Sequence, residues 1–209
     1  MEQLRPEPAG VPVGGRPYDI VAIGASTGGP PAVEQLLDHL PRDFRTPIVV
    51  CQHMPPGFTA LWAERLDRRF DRFDVSEARF GDPLRPRRVY IAPIGKHLRV
   101  RREGDTGEIM LDRDFADSLH VPSIDIMMGS VAQVYGSKSL GVLLTGLGSD
   151  GASGMLAIRR AGGHTMCQDE SSAVAYSMPG SAVEIGGAAE QVPIEYMGDL
   201  LGRRVKGSL

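Results

Sequence analysis

Cysteine is scarce: the 209-residue chain holds only Cys51 and Cys167, each inside an apolar segment and not part of any metal-like pair. A disulfide-stapled scaffold is therefore excluded, and a reducing, cytoplasmic setting is the expectation. An excess of one charge is lacking too, since Lys+Arg 23 against Asp+Glu 26 gives a net charge of −3. Without a basic excess, neither nucleic acid nor an anionic membrane surface is expected as the main partner. No apolar run approaches the roughly 18–20 residues that cross a bilayer, so no membrane insertion is expected. Residues 1–17 lack the apolar stretch of a secretory signal. No cluster of His, Cys and carboxylates has ligand spacing, and neither a metal nor a cofactor is expected.

Glycine and proline, by contrast, are plentiful at 26 and 16 residues, but they follow no collagen-like period. Pro6, Pro8, Pro12 and Pro17, with Gly10, Gly14 and Gly15, crowd the first seventeen residues. Such a stretch buries too little to offset its ordering entropy, so 1–17 is expected to be a disordered lead-in. The length suits one domain, expected over 18–205, with a short tail at 206–209.

YDIVAIG (18–24) is a short, almost wholly apolar run, as expected of a strand covered on both faces. Pro30 and Pro31 then open a helix whose Val33, Leu36, Leu37 and Leu40 share one face. PIVVCQ (47–52) repeats the strand pattern, and FTALWAERLDRRF (58–70) the helical one. SLGVLLTG (139–146) and HTMCQD (164–169) read as further strands around a helix, ASGMLAIRRAG. Helices are also expected near 123–135 and 194–203. Residues 73–112 differ: VYIAPIG, HLRVRRE and EIMLDRD are short extended pieces between turn signals. The whole predicts an α/β fold, a doubly wound and mostly parallel sheet with helices on both faces. A small antiparallel β insertion is expected around 85–112. In such folds the ligand crevice lies at the carboxyl ends of the strands, here the loops 24–29, 52–57 and 146–151.

The first loop is Gly24-Ala25-Ser26-Thr27-Gly28-Gly29. Its glycine spacing matches a phosphate-binding Walker loop, but Pro30 stands where Lys is required. A dinucleotide fingerprint is absent as well, and no acid for a ribose follows the second strand. Two readings remain open for the loop. Ser26 or Thr27 caps the following helix, or a hydroxyl on a tight strand–helix turn is a nucleophile aimed into the crevice.

A serine nucleophile needs a base. Of five histidines, His39 falls within a helix, His97 in the insertion and His164 at the start of a strand. His120 lies in a loop and stays open as a candidate. His53, in CQHMPPG, stands just past the end of the second strand, where it can share a crevice with Ser26. A carboxylate completes such a set by orienting the imidazole. Asp150, in TGLGSDGASG, sits at a third strand end, although an Asp there can also cap the following helix. Gly146-Leu147-Gly148 offers backbone N–H groups to a developing oxyanion. Cys51 is a rival nucleophile, but its apolar run favours a buried thiol.

Taken together, AIGASTGGP (22–30), QHMPPGFTA (52–60) and LLTGLGSDGASGML (143–156) resemble the catalytic domain of the chemotaxis protein-glutamate methylesterase (CheB) family. Lesser matches are VYIAP (89–93), PSID (122–125) and QDESSAV (168–174), so the likeness spans about 18–205. The resemblance implies a Ser26–His53–Asp150 triad, an oxyanion donor at the Leu147 N–H, and a supporting role for Thr27. It implies hydrolysis of glutamate γ-methyl esters on helical, cytoplasmic segments of chemoreceptors, releasing methanol, with glutamine deamidation as a second activity. Members of that family usually begin with a receiver domain. Residues 1–17 resemble the linker after it, so a separate receiver or regulatory protein is expected as a partner. Leu119 and Val121 replace usual arginines, and Gly180 replaces the arginine of a Met-Pro-Arg segment. These departures raise the alternatives of a hydrolase of another protein ester or amide, or of a non-enzymatic receptor-docking module.

Overall fold

The structure, a computed structural model, describes residues 18–103, 106–113 and 119–207. The expected lead-in at 1–17 and the end of the tail at 208–209 lie outside the described residues.

The strands are β1 (Ile20–Ala25), β2 (Ile48–Gln52), β3 (Asp74–Glu77), β4 (Arg88–Ile91), β5 (His97–Glu103), β6 (Thr106–Asp112), β7 (Ser139–Leu143), β8 (His164–Gln168) and β9 (Glu190–Val192). The helices are α1 (Gly29–Asp38), α2 (Phe58–Arg69), α3 (Ile124–Tyr135), α4 (Ala152–Arg160), α5 (Ser177–Glu184) and α6 (Ile194–Lys206). Seven strands form one sheet in the order β3-β4-β2-β1-β7-β8-β9, and every pairing in it is parallel. The other two, β5 and β6, pair in antiparallel fashion as a separate hairpin.

The central strands are apolar because both of their faces are covered. Along β1, Val21, Ile23 and Ala25 enter one core with α1, α2 and α6, represented by Leu37, Leu66 and Leu201. Ile20 and Ala22 point the other way, into a second core built from α3, α4, α5 and the hairpin. All four residues expected on the buried face of α1 are at most 2% exposed, which anchors the helix that starts at the first glycine-rich loop. On the opposite face α3 lies close over β1 at Gly24, where a Cβ would come 2.3 Å from Ile124 Cγ2. That close approach brings the α3 N-terminus over the carboxyl ends of β1 and β7.

The expected doubly wound sheet and antiparallel piece are both present, with one change of membership. VYIA does not join the antiparallel piece: β4 is a parallel strand between β2 and β3. An extended segment is legible locally, but its partner is set by packing from distant sequence. The last helix also runs to Lys206 rather than 203, because Val205 is still 8% exposed and held in the core.

Candidate active site

Chain direction reverses its sideways progress at the β1/β7 junction. β1 is followed by β2 on one side, and β7 is inserted on the other. Crevices form at such switch points, beyond the strand ends. Ser26 follows β1 directly, His53 follows β2, and Asp150 lies in the turn between β7 and α4. Ala25 and Gln52 are Cα partners, so Ser26 and His53 leave adjacent strands at the same level. The His53 N–H donates to Ala25 O at 3.0 Å, and Gln52 Nε2 donates to both Ser26 O (2.8 Å) and His53 O (2.9 Å). One buried glutamine side chain therefore fixes the backbone of both residues.

The turn after Ser26 is held from the other side of the sheet switch. Ser26 N–H donates to Thr145 O at 3.0 Å, and Thr145 Oγ1 donates to Thr27 O at 2.9 Å. Gln168 Oε1 in turn accepts from Thr145 N–H at 2.9 Å. Gly28, with φ 78°, is the N-cap of α1, and no side chain among the described residues caps that helix. This overturns the capping alternative for Ser26 and Thr27, because a left-handed turn at Gly28 carries the chain into the helix instead. Ser26 is half-buried at the crevice and Thr27 is exposed.

His53 Nε2 lies 2.8 Å from Asp150 Oδ2, with the two side chains 13% and 9% exposed. An ionised carboxylate only accepts, so Nε2 carries a proton, and in the neutral ring Nδ1 keeps its lone pair. That Nδ1 is buried and has no hydrogen-bond partner among the described residues. It is thus available to accept a proton from a neighbouring hydroxyl.

Asp150 is held by the start of α3. Its Oδ2 accepts from Ile124 N–H (2.8 Å), and its Oδ1 from Asp125 N–H (3.0 Å) and Ser123 Oγ (2.9 Å). Burial alone would raise the Asp150 carboxyl. The hydrogen bond from His53 and those from the Asp125 and Ile124 amides outweigh it and hold the carboxyl below its ordinary value. The helix that Asp150 caps is therefore α3, not the α4 that follows it in sequence. The α4 amides of Gly151 and Gly154 go to Asp125 Oδ1 instead, at 2.9 and 2.7 Å. Burial chiefly raises the Asp125 carboxyl, and the charge of Asp150 adds to the effect.

Leu147 is 62% exposed, next to Gly146, whose added Cβ would lie 2.8 Å from Ser26 Cβ. The Leu147 N–H donates to no acceptor among the described residues. Its backbone amide thus stands close to the Ser26 turn, as an oxyanion donor must.

The other candidates separate clearly. Cys51 is fully buried on β2, and burial drives its thiol well above the ordinary value, with the Asp150 and Asp125 charges adding. A thiol so hard to ionise is a core group. His39 ends α1, where Nδ1 meets Gln35 O at 2.8 Å. His164 is buried near Glu190 at the far edge of the sheet. His120 is exposed, and its ring stacks on His53 at 4.2 Å between centroids. It covers one face of the imidazole, while the Asp150 contact belongs to His53.

Sequence reasoning missed the braces Gln52, Thr145 and Gln168, whereas His120, open as a candidate, comes to the site as a ring stacked on His53. A polar residue closing each apolar strand run was the available signal. Leu119 is 99% exposed and Val121 is partly buried, both just before α3. Gly180 lies in α5 against the Tyr176 ring.

Comparison with known proteins gives a consistent result. The family model described as CheB methylesterase matches residues 21–201. A protein-glutamate methylesterase/protein-glutamine glutaminase of Myxococcus xanthus is 44% identical over 189 residues, covering 90% of this chain and 54% of that protein. One from Pseudomonas aeruginosa is 48% identical over 176 residues, or 84% of this chain and 50% of its own. The chain thus spans about half the length of the curated relatives it matches. The crystal structure of the Thermotoga maritima CheB methylesterase catalytic domain superposes with a TM-score of 0.85 at 36% identity. That match covers 89% of this chain and 98% of the other. With a family match over most of its length, and the fold to go with it, this chain belongs to the CheB methylesterase family.

Proposed function

We propose that residues 18–205 form a cytoplasmic serine esterase domain that removes methyl groups from glutamate γ-methyl esters of chemoreceptors and also deamidates receptor glutamines. The observation that carries this reading is the His53 ring. Its Nε2–H is pinned to a buried carboxylate, its Nδ1 has no hydrogen-bond partner among the described residues, and Gln52 braces its backbone to that of Ser26. Nδ1 takes the Ser26 proton as Ser26 Oγ attacks the ester carbonyl. The tetrahedral oxyanion is met by the Leu147 N–H, on a backbone that needs no reorganisation. Collapse breaks the bond to methoxide, which leaves as methanol with the proton from Nδ1. Water then attacks the glutamyl–serine ester, Nδ1 accepts its proton and returns it to Ser26, and free glutamate remains. Asp150 stays ionised throughout and stabilises the imidazolium. A glutamine substrate follows the same course and releases ammonia. Thr27 supports the turn through its carbonyl, which Thr145 holds. Every group that this course needs is a side chain or amide of the chain, so no cofactor is invoked.

Labelling with a fluorophosphonate tests the nucleophile. Wild type should be labelled and Ser26→Ala spared; an unlabelled wild type would favour the non-enzymatic docking module.

One observation favours a second reading of the substrate. Leu119 is 99% exposed beside the site, where the family usually carries a cation. A different protein ester or amide, less acidic in its flanks, would suit this rim.

A further inference from the structure

His97 is the first residue of β5, in the hairpin outside the main sheet, and it is fully buried. Its Nδ1 accepts a hydrogen bond from Ser123 N–H at 3.2 Å. An accepting Nδ1 leaves the proton on Nε2, and that atom is buried without a partner among the described residues. Leaving a buried N–H unpaired costs about 1–3 kcal/mol, so an apolar or correctly paired residue would be cheaper here if only packing mattered. What Nδ1 holds is the N-cap of α3. Ser123 Oγ accepts from Ile126 N–H at 3.3 Å and donates to Asp150 Oδ1 at 2.9 Å. The same helix start supplies the Ile124 and Asp125 amides to Asp150. A continuous run of bonds therefore joins the hairpin to His53: His97 Nδ1, Ser123, Asp150, His53 Nε2.

We propose that His97 is a positioning residue for the reaction. It fixes the Ser123 cap and the α3 amides so that Asp150 meets His53 Nε2 in the orientation that leaves Nδ1 toward Ser26. The proposal rests on the esterase reading above and adds the hairpin to its machinery. It also accounts for a fully buried histidine on β5, hydrogen-bonded to the residue before Ile124.

The side-chain amide oxygen of Asn can take the place of an imidazole Nδ1, whereas that of Gln falls nearer Nε2. His97→Asn should therefore keep the acceptor and His97→Gln should lose it. Steady-state methanol release from methylated chemoreceptor membranes is the first readout. His97→Gln should lower kcat by up to about 10²-fold, the scale of a misplaced catalytic group, with KM within about twofold. His97→Asn should stay within about fivefold of wild type. Equal kcat for both variants and wild type, or equal losses with a raised KM, would overturn the proposal.

Should His97→Gln fail to fold cooperatively, Ser123→Ala leaves His97 in place and cuts the link one step on. It should lower kcat at least about fivefold with KM unchanged, and a wild-type kcat would overturn the proposal. A second readout does not depend on turnover. The His53 Nε2–H resonance, bonded to Asp150, should persist downfield in wild type and His97→Asn and disappear in His97→Gln. Methanol release that survives Ser26→Ala would sink the esterase reading itself. A resonance unchanged in His97→Gln would sink the His97 link alone.

Discussion

Asp125 and Asp150 cap each other's helices. The Asp150 carboxylate takes the first amides of α3, which carries Asp125, and Asp125 Oδ1 takes the Gly151 and Gly154 amides that open α4, just after Asp150. Two helices are thus locked at the point where the carboxylate facing His53 must be held.

Removing Asp125 should loosen this lock. Asp125→Ala should cost about 1 kcal/mol of stability, as for other caps, and reduce kcat. Asp125→Asn keeps an acceptor for the two amides and should retain most of both. Denaturant unfolding and methanol release check the pair.

The two carboxylates should respond to acid in opposite senses. Asp150 is held below its ordinary value in the fold, so its contribution is present above the unfolded value of about 3.9 and lost as pH falls through the folded value. Asp125 is raised, so its contribution is full below about 3.9 and lost as pH rises through its higher folded value. The stability gap between wild type and Asp150→Asn should hold near neutrality and shrink below about pH 4. Asp125→Asn should instead be most favourable, relative to wild type, at neutral pH. Unfolding midpoints from pH 7 down to 3 measure both.

Gly146 should tolerate no side chain. A Cβ there would lie 2.1 Å from Met178 Sδ and 2.8 Å from Ser26 Cβ, both in a packed region. Gly146→Ala should cost about 1–3 kcal/mol and displace Ser26, with phosphonate labelling slowed about 10²-fold. Unchanged labelling would show that Ser26 does not rely on this contact.

The rim substitutions give a substrate test. Leu119→Arg or Val121→Arg should raise kcat/KM on methylated receptors up to about fivefold, the worth of an exposed pair, and salt should erase the gain. At position 180 the Cβ would already lie 3.2 Å from the Tyr176 ring, so an arginine there needs Tyr176 to shift. Position 119 or 121 is therefore the cleaner choice. No gain would favour the reading with a different protein ester or amide.

The strand–helix alternation was legible because both faces of β1, β2 and β7 are covered, which makes each a largely apolar run. β3 and β9 were not read as strands; they are sheet edges of four and three residues with little apolar signal. Helix α5 contains Pro179 and Gly180 and is held by burial of Met178 and Ala182, which local propensity does not reveal. The parallel pairing of β4 was hidden because periodicity identifies an extended segment without naming its neighbour. At the site, the three strand-end loops were legible, as was the candidacy of Ser26, His53 and Asp150. The destination of the Asp150 carboxylate was not. It crosses to α3, 25 to 27 residues away in sequence, and only the fold brings that helix start near.

Methanol release from methylated chemoreceptor membranes, compared between wild type and Ser26→Ala, tests the esterase reading most directly. Release by wild type, reduced by about 10⁴- to 10⁶-fold in Ser26→Ala with folding unchanged, is the expected result. Release by Ser26→Ala close to that of wild type would contradict it.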